Sequence, residues 1–129
     1  MRPRASKRRL LFALILLTVT AAMACGSGDA ETDAYGESNP VQIESDEVTV
    51  EMTSLQFEPQ GIRVRPGTTV TWVNNDPVIH NVRQVESEFL SPDVASGEAY
   101  TFRFKKPGRY RYQCTYHHPN MSGVVILEP

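Results

Sequence analysis

"YTFRFKKPGRYRYQC", residues 100–114, contains two short runs in which bulky and charged or polar residues alternate, with Pro107 and Gly108 between them. Tyr100, Phe102 and Phe104 share one parity against Thr101, Arg103 and Lys105, and Tyr110 and Tyr112 alternate with Arg109 and Arg111. Successive side chains of an extended chain point to opposite faces, so a period of two marks strands buried on one side and wet on the other. Pro-Gly marks a turn between them. The aromatics are predicted to face inward and the four cations Arg103, Lys105, Arg109 and Arg111 outward. Cys114 has the parity of Tyr110 and Tyr112, so alternation sustained to the strand end turns its thiol into the domain.

The same period recurs on both sides of this stretch. Val48, Val50 and Met52 alternate with Thr49 and Glu51, and Ile62 and Val64 with Arg63 and Arg65. Pro66-Gly67 then leads into "TTVTWVNND" (68–76), with Val70 and Trp72 on one face, and "HNVRQV" (80–85) and "GVVILEP" (123–129) follow after further turn signals. No stretch keeps a helical period. The expectation is an all-β domain, a Greek-key β-sandwich or barrel of seven to eight strands, antiparallel and without parallel sheets.

The N-terminus has a different character. Arg2, Arg4, Lys7, Arg8 and Arg9 precede an apolar run from Leu10 to Ala24, shorter than the roughly 20 residues of a membrane span, which reads as a signal peptide over 1–24. Ala22-Met23-Ala24-Cys25 resembles a bacterial lipobox lacking the usual leucine three before the cysteine, and it also suits an ordinary signal peptidase. Two outcomes stay open: a chain held on the extracytoplasmic face of the cell membrane by a lipid on Cys25, or a periplasmic or secreted one. Residues 25–45 hold five acidic and no basic residues and are expected to form a flexible tether, leaving 46–129 as the folded domain. Loss of the first 24 residues removes five of the thirteen basic residues and none of the fifteen acidic ones. Nucleic acid is therefore not an expected partner.

Cys25 and Cys114 are the two cysteines, and the first belongs to the processing site. Cys114 is thus a lone thiol in an exported protein, prone to oxidation unless it is buried or bound. It opens "CTYHHPNM" (114–121), which brings imidazole and thioether groups within a few residues of the sulfur. His80 begins a strand-like run with His80 and Val82 on the inner face and Asn81 and Arg83 on the outer. Alone it would be an ordinary buried histidine. With the loop it supplies one His from a distant strand and Cys, His and Met from one segment, the donor set of a blue-copper site with a long axial thioether.

Two stretches carry a family resemblance: "FEPQGIRVRPGTTVTWVNNDPVIHNV" (57–82) and "FRFKKPGRYRYQCTYHHPNMSGVVIL" (102–127). They resemble the small cupredoxins of the plastocyanin and amicyanin type in Phe57-x-Pro59, Gly67-x-x-Val70-x-Trp72-x-Asn74, His80-Asn81-Val82 and Tyr112-x-Cys114. The resemblance implies one copper ion held by His80, Cys114, a loop histidine and Met121, with Asn81 tying its loop to Thr115. The spacing from His117 to Met121 departs from the family's familiar loops. His117 keeps the Cys-x-x-His spacing and is favoured, and His118, which keeps the wording His-Pro-x-Met, is the alternative.

Four protein ligands leave no open equatorial position for a substrate, and a single loop cysteine excludes a thiolate-bridged copper pair. The expected function is a monomeric electron carrier, not an enzyme, shuttling one electron between extracytoplasmic redox proteins. Pro77, Val78, Tyr116, His118 and Pro119 would form an apolar docking rim around the loop histidine. The cations Arg103, Lys105, Lys106, Arg109 and Arg111 would steer an acidic partner, or are simply the solvated outer face of a hairpin. The alternative function is extracytoplasmic copper binding or delivery without electron transfer, though delivery would favour repeated, exposed Met or His clusters that this sequence lacks.

Overall fold

The computed structural model describes residues 33–86 and 89–129. The signal-peptide stretch and Cys25 lie outside the described residues. Nine strands run in chain order: β1 (Val41–Gln42), β2 (Glu47–Thr53), β3 (Gln56–Glu58), β4 (Gly61–Val64), β5 (Thr69–Asn74), β6 (Arg83–Gln84), β7 (Ala99–Arg103), β8 (Gly108–Gln113) and β9 (Ser122–Leu127). They form two sheets, ordered β1-β4-β9-β8-β6 and β3-β2-β5-β7, and no described residue is helical.

The alternation places the core as read from the sequence. Val50, Met52, Ile62, Val64, Val70, Trp72, Phe104, Tyr110 and Tyr112 are buried between the sheets. Tyr100 and Phe102 are only half-buried, packed against Phe89, whose ring lies 4.7 Å from that of Phe102. Trp72 is fully buried at the centre, stacked at 5.8 Å on Tyr100 of its own sheet and 5.3 Å edge-to-face from Tyr112 of the other, so the second pair joins the two sheets directly.

Strand direction differs from the antiparallel expectation. The pairs β1/β4, β2/β5 and β4/β9 are parallel, and both sheets are mixed. A parallel pair needs a crossover, and here the crossover is a visit to the other sheet: after β3 the chain crosses to β4, then returns as β5 beside β2. Local alternation reports which face is buried and carries no information about direction. The same cause corrects the hairpin reading of 99–113. β7 pairs with β5 and β8 with β9 and β6, so Pro107-Gly108 carries the chain from one sheet to the other.

Part of the stretch expected to be a tether is folded onto the domain. From Asp33 the chain lies against one sheet: Gln60 Nε2 and Ser122 Oγ donate to the Ala34 carbonyl, Glu37 pairs with Arg109 (3.0 Å) and Arg111, and the Arg111 guanidinium lies over Tyr35. Gly36, at φ +77°, fits so closely over Gly61 that a methyl group on Gly61 would overlap its carbonyl oxygen. β1 then adds an edge strand to β4. A segment poor in apolar residues is held here by charge pairs, backbone hydrogen bonds and strand addition, interactions with no periodic signature. Two of the five cations read as an outer stripe are thus engaged by the chain's own Glu37.

Candidate metal centre

Asn74, fully buried at the end of β5, organises the turn that follows. Its Nδ2 donates to the carbonyls of Val78 (2.8 Å) and Val94 (2.9 Å), and its Oδ1 accepts from Asp76 N–H (2.9 Å). The turn delivers His80, which is pinned to Val94 by two backbone hydrogen bonds, from His80 N (3.1 Å) and from Val94 N (2.8 Å). "HNVRQV" is therefore mostly bridge and bend, with regular strand only at Arg83–Gln84. This changes one face assignment: Asn81, expected on the outer face with Arg83, is buried. Its Nδ2 donates to Thr115 Oγ1 (2.7 Å) and its Oδ1 accepts from Thr115 N–H (2.9 Å), linking the His80 segment to the residue after Cys114.

Cys114 follows β8 and Met121 precedes β9, and both are fully buried. The loop between them is closed by its own backbone. Cys114 N–H donates to the Met121 carbonyl (3.0 Å), His117 N–H to the Cys114 carbonyl (3.3 Å) and Met121 N–H to the His117 carbonyl (3.2 Å). His117 is thereby turned back towards the sulfur. Cys114 Sγ lies 3.7 Å from His80 Nδ1 and 3.6 Å from His117 Nδ1, and the three donor atoms are all within 4.8 Å of one another. Nitrogen and thiolate ligands sit about 2.0–2.3 Å from a metal, so two on one ion at roughly trigonal angles stand about 3.5–3.8 Å apart. The observed spacings match one shared ion. The donor chemistry, one thiol and two imidazoles with the buried thioether of Met121 at the end of the loop that begins at the thiol, fits copper. His118 is exposed and His117 half-buried, and of the two only the His117 imidazole is turned to the sulfur.

Asp76, in the turn after β5, lies in direct contact with the site. Its carboxylate accepts from Ser54 N–H (2.7 Å), from Leu55 N–H (2.9 Å) and from His80 Nε2 (2.8 Å). Burial pushes the Asp76 carboxyl upward, but the hydrogen bonds from Leu55, His80 and Ser54 outweigh it and hold its pKa below the usual carboxylate value. An ionised carboxylate only accepts, so His80 carries its proton on Nε2 and presents the Nδ1 lone pair towards Cys114. The available signal was a carboxylate four residues before an inward-facing histidine, a separation the Asn75–Pro77 turn can close.

The residues expected to form a docking rim all lie at the surface. Val78 and Tyr116 are exposed, with Pro77, His118 and Pro119. Ile79 and Leu55, which the sequence reading did not place on a rim, are also exposed. Tyr116 OH donates to Asp93 (2.6 Å), and this bond is the leading cause of its raised pKa.

Residues 44–128 match the family described as copper binding proteins, plastocyanin/azurin family. Amicyanin-alpha of Methylorubrum extorquens is 34% identical over 128 residues, covering 94% of this chain and 99% of that protein. A copper(I) structure of an amicyanin variant superposes with a TM-score of 0.60 at 31% identity, covering 67% of this chain and 86% of that one. A copper-containing nitrite reductase from Thermus scotoductus gives the same TM-score at 30% identity, covering 71% of this chain but 26% of its own.

Proposed function

The chain belongs to the plastocyanin/azurin family of copper-binding proteins, and from that premise we propose that it carries single electrons on a type 1 copper ion held by His80, Cys114, His117 and Met121. The observation that carries this reading is the approach of His80 Nδ1 and His117 Nδ1 to one buried sulfur. Copper bound there supplies a Cu(II)/Cu(I) couple, with thiolate and thioether favouring the reduced ion and imidazole serving both. The protein's part is to keep the four donors in place, with Asn81 and Thr115 bracing the two ligand segments, and to exclude water from Cys114 and Met121. Four protein ligands leave no site for a substrate. The likeness to the nitrite reductase covers a quarter of that chain, so it carries over a domain and not a reaction.

Electrons pass to and from redox proteins through the rim formed by Pro77, Val78, Tyr116, His118 and Pro119, extended by Leu55 and Ile79. His118 belongs to this surface and not to the ligand set. Export follows from the reading of residues 1–24 as a signal peptide, and membrane attachment from a lipid on Cys25. Palmitate incorporation into the wild type but not into Cys25→Ala supports the anchor, and absence of label in both removes it. The copper reading is tested by adding Cu(II) to the purified apoprotein. An intense blue colour, bleached by reductant and restored by oxidant, is expected. Colourless, loosely held metal would overturn electron transfer in favour of copper delivery.

A further inference from the structure

We propose that Asp76 is a positioning residue for the copper site: a buried anion that fixes the ring orientation of His80 and sets the balance between the two copper oxidation states. The inference rests on the copper reading above and goes beyond it, because Asp76 is not a ligand.

The geometry is specific. One carboxylate oxygen accepts from Ser54 N–H, and the other is shared by Leu55 N–H and His80 Nε2. Ser54 and Leu55 both have positive φ, 53° and 59°, a conformation that non-glycine residues adopt only when their surroundings hold them there. The carboxylate supplies that hold, since it ties two successive amides of the β2–β3 turn to the imidazole. His80 thus has its backbone fixed by Val94 and its far ring nitrogen fixed by Asp76. Rotation of the ring about its bond to the chain, or a switch of tautomer, would break a buried hydrogen bond.

The negative charge has a second effect. It lies one imidazole away from the metal position, and Asp76 is 8% exposed, so solvent screens it poorly. A buried anion stabilises the more highly charged Cu(II) over Cu(I). Carboxylates behind metal-bound histidines also raise ligand basicity, and their loss typically costs 10–100-fold in metal affinity.

The test is Asp76→Asn, which keeps the shape and one acceptor oxygen but removes the charge. At neutral pH the variant is expected to retain the blue colour while its preference for Cu(II) over Cu(I) falls about tenfold, a rise in reduction potential of about 59 mV. A role confined to bracing the β2–β3 turn would lower stability and leave the potential unmoved, and that result overturns the proposal. A second measurement needs no variant: in the Cu(I) wild type, nitrogen NMR should show His80 protonated at Nε2, with a proton exchanging slowly with water. Exchange as fast as in free imidazole also overturns it. If the wild type never turns blue, the copper reading fails and this inference with it. A blue wild type with an unshifted variant potential removes the inference alone.

Discussion

Asn81 shows what a single side chain contributes to the centre. Both of its amide atoms are used on Thr115, so Asn81→Ala removes two hydrogen bonds and leaves the Thr115 N–H without its partner. A loss of about 1–3 kcal/mol in urea unfolding of the apoprotein is expected, together with a broadened visible band in the copper form. The two loop histidines separate more sharply. His117→Gly should abolish the colour and regain it with added imidazole, whereas His118→Gly should remain blue without help; loss of colour only in the second variant would reverse the assignment. At this scale the chemistry-bearing residues were legible, because thiol, imidazole and thioether in eight residues is an unusual collection and the parity of Cys114 pointed it inward. Asp76 and Asn74 were not recognised as site residues, since a polar residue in a turn looks the same whether its side chain meets water or a buried ring.

Among the elements, the segment 33–43 is the one the sequence misrepresents. Its acidic composition suggests solvation, but Glu37 finds two arginines on β8. Hydrogen bonding and charge from Arg111, then from Arg109, outweigh burial and hold the Glu37 carboxyl below its ordinary value. The folded pKa therefore lies under the unfolded value of 4.5. The contribution of this contact is complete above that unfolded value and is lost as pH falls through the folded one. Protection from hydrogen exchange across 33–43, relative to the free-chain rate at each pH, should accordingly fall in acid before that of the sheets. Both arginines are well exposed, so Glu37→Gln should cost less than about 1 kcal/mol in global stability while loosening the segment at neutral pH. Gly61→Ala tests the same contact sterically: exchange protection should disappear from 33–40 and persist in β8 and β9. Direction of pairing was the other feature hidden at this level. β2 beside β5 and β4 beside β9 are decided by where the chain crosses between sheets, and no residue along those strands records the crossing.

Taken whole, the described part of the molecule is two mixed sheets clamped around Trp72, and Cys114 and Met121 join a core that the strands mostly supply. Val50, Val70, Phe104 and Tyr112 are buried by the sheets alone. Removal of copper by a chelator should leave the folded signal of the single tryptophan intact and lower only the midpoint of thermal unfolding; collapse of that signal would show the fold to be metal-dependent. Trp72→Ala should cost about 3–5 kcal/mol in denaturant unfolding, because it empties the contact between the sheets. Fold class and core were readable for a common reason: a period of two survives in β2, β5 and β8, where burial follows parity, whereas β9 is buried along its whole length and carries no such signal. The bond from Cys114 N–H to the Met121 carbonyl makes the ligand-bearing segment a closed ring, anchored to neighbouring strands at both ends. An electron arriving there finds the nuclei already near the positions they will occupy after it leaves. Little chain or water has to shift with the charge, and the carrier is thereby suited to quick, repeated exchange at small driving force.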